Sequence, residues 1–375
     1  MDATRFLEVL LSLSVQATIV VLLAQGLCRL TRDAKTRCRL WTTVYVVLLG
    51  LVAVAIFLPH YRLFHPWQRL SEQATITLAL SFRGIGRLVL GLWLAGVTVS
   101  LLLLSISWYR AIRFVRRCRP VDHRRIPLDG LDEDIPGGRI LKQQRIHVVA
   151  TSEVTGPFCW QLHGPYIVIP EFLLQRRDRE LQFVIRHELE HLRTGHPLQL
   201  FLQRVVEIVF WFHPMLWWAS FRSNLTREYL CDEAAAGEPA NIAAYLKAML
   251  DLAEQRLTRR CDSMASLAFG RGQGIVTRRI RRLVELAKQG TASRQVTLGS
   301  RMLPAILVAA AGCLPLITVP VDVLASSGTG WSPWPKVTAG ILHDVGISVR
   351  DYDLDGCNME LYELLEKQAK SDGDE

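Results

Sequence analysis

Apolar residues are spread along this chain in two ways. Four stretches are apolar almost without interruption: Val9–Leu27, Leu40–Leu58, Leu88–Tyr109 and Met302–Val321. The first three carry no charge, and each is long enough to cross a hydrocarbon core of roughly 30 Å as a helix. The fourth holds Pro304, Pro315 and Pro320, which membrane helices tolerate better than soluble ones. About four transmembrane helices are therefore predicted, near 9–27, 40–58, 88–109 and 302–325. No small-x-small cleavage site follows the first stretch, so it reads as a permanent span rather than a leader.

Elsewhere the apolar positions are periodic. Arg145–Thr151 and Tyr166–Ile169, the latter bracketed by Pro165 and Pro170, predict strands. Glu171–Leu174 and Glu180–Thr194 predict helices, with Gly195 and Pro197 as a stop signal. Leu198–Phe221 is strongly apolar but broken at Pro214, and it carries Arg204, Glu207 and His213. It predicts a helix lying against the membrane or inside a core rather than another span. Asn224–Ala236, Asn241–Arg256 and the basic, amphipathic Arg278–Ala287 complete the helices. Residues 59–87 read as a short external link. Residues 120–143, rich in Pro, Gly, Asp and Arg, read as a connector.

Charge gives the topology. Arg29, Arg32, Lys35, Arg37 and Arg39 fill the link between the first two spans, and five arginines from Arg110 to Arg119 follow the third. A further basic cluster, Arg278 to Arg301, precedes the fourth. The positive-inside rule then puts the N-terminus outside and residues from about 110 to 301 in the cytoplasm. The outer tail, 326–375, holds ten acidic against four basic residues, so the rest of the +9 chain stands near +15. Topology and anionic lipid account for that excess, and direct binding of nucleic acid is not expected. The eight cysteines show no CxxC pair, so neither a disulfide framework nor a thiolate zinc site is predicted.

The chemistry centres on His187-Glu188-Leu189-Glu190-His191. Residues four apart share a helix face, so both imidazoles can reach one metal ion, and Glu188 beside the first can act as general base. In a chain of this composition HExxH arises by chance on the order of once in a hundred cases. A third ligand is needed. The HExxHxxGxxH route fails, because Gly195 and His196 lie one place out of register. A Glu on a later helix remains, and Arg227-Glu228-Tyr229-Leu230-Cys231-Asp232 supplies Glu228, with Asp232 one turn on to orient a ligand histidine. Glu233 is the competing carboxylate. His196 reads as a helix C-terminal cap or a solvent residue, and His213, Trp211, Trp217 and Trp218 as packing or interfacial ones. Asp351–Gly356 opens like a calcium loop, but position twelve is Tyr362, so it reads as a solvated acidic turn.

With these motifs in this order, the chain resembles the membrane metallopeptidases of the BlaR/MecR type, the antibiotic-sensing antirepressors and their relatives. The likeness covers roughly 1–325 and rests on the span layout, GPYIVIPEFLL, HELEH, FWFHPMLWW and REYLCDEAA. It implies an α-helical membrane protein with an inserted α+β, gluzincin-like zinc peptidase domain at 120–301, between the three-span region 1–119 and the fourth span. It implies one zinc ion on His187, His191 and Glu228, with Glu188 as base. It also implies that Tyr166, Ile167, Val168 and Ile169 receive substrate by strand addition. The expected partners are membrane lipid and a protein substrate, such as a winged-helix repressor; a homodimer stays open. The penicillin-binding sensor of that family is not seen, since the tail lacks Ser-x-x-Lys. Two alternatives stand beside regulated proteolysis: a housekeeping membrane protease, and a non-enzymatic transducer with a structural zinc site. The retained Glu188 speaks against the second.

Overall fold

A computed structural model of the chain describes residues 3–58, 61, 66–67, 70–121, 146–161, 164–175, 178–260, 269–289 and 299–316, with short pieces between 318 and 358. The expected connector lies almost wholly outside these residues. So does most of the acidic tail, apart from pieces such as the two-residue strands Asp353–Leu354 and Cys357–Asn358.

Among the described residues, three helices are long and apolar enough to cross a membrane: α1 (Ala3–Leu30), α2 (Ala34–Phe57) and α3 (Glu72–Arg117). Asp33 caps α2, its carboxylate accepting from the Thr36 amide at 2.8 Å. α3 departs from expectation. It starts inside the segment read as an external link, and its 46 residues span about 69 Å. Arg83 and Arg87 interrupt the apolar run without interrupting the helix, and Ser71 caps it.

The fourth apolar stretch is not one continuous helix. After the helices described below, α9 (Gly299–Gly312) runs for 14 residues, and a 3-10 turn at Leu314–Leu316 follows. Pro315 has no N–H to extend the helix. The backbone beyond finds its partners on α1. Gln16 Nε2 donates to the Leu314 carbonyl at 3.0 Å, and the Val319 and Val321 amides donate to Ser12 Oγ and Glu8 Oε2 at 2.9 and 3.2 Å.

A four-stranded sheet follows α3: β1 (Arg119–Pro120), β2 (His147–Thr151), β3 (Phe158–Trp160) and β4 (Tyr166–Pro170), in the order β1-β2-β4-β3. β2 and β4 are parallel; β1 and β3 pair antiparallel with their neighbours. Alternation sorts the side chains. Val149 and Val168 face Val115 at the end of α3. Val148, Ile167 and Ile169 face α4 (Asp178–Arg193), which buries Leu181, Ile185, Leu189 and Leu192 against them. That spacing is one helix face, so His187 and His191 are left for another.

Gly195, at φ 68°, turns the chain sharply after α4. Here the expected stop is real but brief, because α5 (His196–Val209) begins at once. The α6 helix (Pro214–Ala236) runs back, so Leu198–Phe221 becomes a helical hairpin instead of one helix. Its tip packs among the spans: Val206, Phe210, Leu216 and Ala219 join one core with Val20, Trp41, Tyr45 and Leu307. Trp93 on α3 donates to the Val209 carbonyl at 2.9 Å, and His213 Nε2 meets the Ser14 carbonyl of α1 at 3.0 Å. Trp211 lies so close to Gly96 that a Cβ there would meet the ring at 2.1 Å. Two further helices, α7 (Ile242–Arg260) and α8 (Phe269–Gln289), close the far side.

Candidate metal centre

α4 presents His187 and His191 toward α6, which presents Glu228. The two Nε2 atoms are 3.3 Å apart; Glu228 Oε2 lies 3.6 Å from His187 Nε2, and Oε1 lies 3.6 Å from His191 Nε2. Donors about 2.0–2.1 Å from a tetrahedral ion stand about 3.3 Å from one another, so these two imidazoles and one carboxylate are spaced to share a zinc-sized ion. Electron-rich atoms of three residues converging in a largely buried place call for a positive charge between them.

The surrounding groups say the same. Burial works against a charge on His187, yet hydrogen bonds to Asp232 and Glu228 outweigh it and lift its pKa to about 10. Burial and the neighbouring His187 push His191 down to about 4. Burial would raise Glu228, but Arg279 and His187 hold it far below the usual carboxylate range. The two carboxylates thus favour positive charge at His187, and a divalent cation meets the same demand.

Asp232 is 1% exposed, one turn after Glu228, and its Oδ1 lies 3.2 Å from His187 Nδ1. With Nδ1–H pointed at a carboxylate, Nε2 keeps its lone pair for a metal. Tyr245 on α7 donates to the same Oδ1 at 2.7 Å, and its oxygen is 3.2 Å from His187 Nδ1. Arg279 on α8 spans both carboxylates, at 2.8 and 2.5 Å from Asp232 and 2.9 Å from Glu228. Neither Tyr245 nor Arg279 was visible as a site residue in the sequence. Glu233 turns away and pairs with Arg282 at 3.0 Å.

Replacing Arg279 by Ala would leave the buried Asp232 and the half-buried ligand Glu228 repelling each other at the site. Loss of such an outer partner is expected to weaken zinc binding about 10–100-fold. Competition against a chromophoric chelator reads the change; unaltered affinity would show that Arg279 is not part of the site.

Two expectations need correction. Tyr166, Ile167, Val168 and Ile169 lie on β4, an interior strand paired on both edges with β2 and β3, so no substrate can add to it. β3 is an edge strand among the described residues, and its Phe158, Cys159 and Trp160 line a cavity of about 650 Å³ together with His187, Glu188 and Glu228. Trp108 of α3 and Phe201 of α5 form another wall, packed edge to face. His196 is neither a solvent residue nor a helix cap; it is 2% exposed and sits against His191.

Donor spacing of this kind, on packed helices beside apolar helices long enough to span a bilayer, is the build of a membrane-bound metallopeptidase. The profile of the family described as BlaR1 peptidase M56 matches residues 8–283, and the chain belongs to that family. The regulatory protein BlaR1 of Bacillus licheniformis is 26% identical over 91 residues, covering 24% of this chain and 15% of that protein. The methicillin resistance mecR1 protein of Staphylococcus aureus is also 26% identical over 91 residues, covering 24% of this chain and 16% of its own length. The likeness to these relatives thus spans a small part of their length. With the apolar helices, it marks a bacterial membrane protein.

Proposed function

We propose that this chain is a zinc metalloendopeptidase of the bacterial plasma membrane that cuts a cytoplasmic protein in regulated proteolysis. The convergence of His187, His191 and Glu228 carries the reading: the two Nε2 atoms are 3.3 Å apart and each has a Glu228 oxygen at 3.6 Å, a spacing that suits one zinc ion. In it these three are ligands and Asp232 orients His187. A bound zinc ion would lower the pKa of water toward about 7 and polarise the scissile carbonyl. Glu188 lines the cavity beside the first ligand. It takes the proton of the attacking water and returns it to the leaving amine. The substrate adds in extended form along β3, an edge strand among the described residues, where main-chain hydrogen bonds hold it across the site.

The gluzincin-like assignment rests on the HExxH helix with Glu228 on the next packed helix pair. The four-span count, the outer N-terminus and the cytoplasmic placement of 120–301 rest on the apolar stretches and the basic links. Both relatives are named for regulation or resistance, which supports a signalling role. A transcriptional repressor of winged-helix type is the substrate this suggests.

The test is metal removal. The chain, purified in detergent and incubated with a peptide library, is expected to lose all cleavage on treatment with 1,10-phenanthroline and to regain it with zinc in slight excess. Cleavage that survives complete chelation would refute the zinc mechanism.

A further inference from the structure

The two histidines of the site are supported differently. His187 Nδ1 faces the Asp232 carboxylate, whereas His191 Nδ1 lies 2.9 Å from Nδ1 of His196. On the other side of its ring, His196 Nε2 is 3.5 Å from Sγ of Cys38, on α2. Cys38 Sγ is in turn 3.5 Å from Gln199 Oε1, and Gln199 Nε2 donates to the Thr194 carbonyl at 3.0 Å. Cys231 Sγ is 3.5 Å from the same His196 Nδ1. His196, Cys38 and Cys231 are all buried.

We propose that His196 is a positioning residue for His191, and that Cys38 fixes His196, so that the second apolar helix helps to aim one ligand of the metal site. This rests on the zinc reading above.

If Nε2 of His191 binds zinc, its Nδ1 must carry the proton, and His196 Nδ1 must accept it. The proton of His196 then sits on Nε2 and points at Cys38 Sγ, a weak acceptor. The thiol proton of Cys38 points at Gln199 Oε1. One direction of donation runs from the ligand to α2, and every buried polar group in it has a partner. Cys231 is a weaker competitor at the accepting nitrogen, because a thiol is a poor donor and its contact is longer. The sharp turn at Gly195 makes the arrangement possible: it starts α5 directly beneath the last turn of α4, placing His196 under His191. The support is neutral, unlike the anionic one behind His187. It therefore aims His191 without adding charge to the site.

The same atoms permit a rival reading, since His191, His196 and Cys231 offer three donor atoms within 4.8 Å. A second metal there would need His191 to bridge two ions as an imidazolate. The hydrogen bond explains the 2.9 Å approach without that demand.

Two isosteric variants separate the outcomes. In His196→Asn the side-chain oxygen occupies the place of Nδ1 and can still accept from His191. His196→Leu has the same shape and no acceptor. Both are made in the full chain in detergent, with helical content checked by circular dichroism. Zinc affinity is read by chelator competition, and ligand geometry by the visible spectrum of the cobalt-substituted protein. His196→Leu is expected to bind zinc about 10–100-fold more weakly, with an altered cobalt spectrum. His196→Asn is expected to stay close to wild type in both, and Cys38→Ala to show a smaller loss of the same kind. Equal behaviour of Asn and Leu, whether both bind normally or both fail, would overturn the proposal. So would two metal ions per wild-type chain falling to one in His196→Leu. If the wild type bound no zinc, or His191→Ala bound it normally, the zinc reading itself would be at fault.

Discussion

His191→Ala is expected to hold almost no zinc after dialysis, where the wild-type chain holds one ion, and to show no peptidase activity. With the imidazole gone, His187 and Glu228 remain as two ligands, too few for a stable site. The loss should exceed the 10–100-fold attached to an outer partner such as Arg279. The fold should survive, because α4 is held by Leu181, Ile185, Leu189 and Leu192 on the face away from the metal. Glu228→Ala should lose zinc as well, though Arg279 keeps Asp232 as a partner. Glu233→Ala is the control: its carboxylate pairs with Arg282 and lies away from the ligands, so zinc should be retained in full. Elemental analysis of the purified variants decides. A zinc-replete His191→Ala protein would remove His191 from the ligand set.

Glu188 should separate binding from chemistry. Its carboxylate is not among the converging donor atoms of His187, His191 and Glu228, so Glu188→Gln should load zinc normally. Gln fills the same space but cannot take a proton from water. General acid–base catalysis contributes about 10²–10⁴-fold, and proton uptake and return both depend on this one group, so the loss should lie toward the upper end. The variant should still bind peptide, because β3 and the apolar cavity wall are untouched.

How much of this was readable in the residues follows from how local each feature is. Spans one and two show as unbroken apolar runs, and α1 and α2 cover them. α3 was read short because Arg83 and Arg87 end an apolar run long before they would end a helix. HExxH is legible because both imidazoles sit on one helix at a fixed spacing. Glu228 and Asp232 could be proposed because zinc chemistry asks for one carboxylate and a supporting acid. Tyr245, Arg279 and His196 had no such rule. They reach the site from three other helices, and only tertiary packing brings them together. The β4 residues failed for a related reason: alternation identifies a strand but says nothing of its neighbours. The short edge strand Phe158–Trp160 gave no periodic signal of its own. The proline-broken fourth stretch met the length rule by composition, while its helix stops at Gly312.

The most direct measurement compares wild type and Glu188→Gln side by side. Each is purified in detergent, shown by elemental analysis to carry one zinc ion per chain, and incubated with the same peptide library under mass-spectrometric readout. Internal cleavage by the wild type, and its near absence in the equally loaded variant, is the predicted result. Equal cleavage by the two would contradict a zinc peptidase that uses Glu188 as its base.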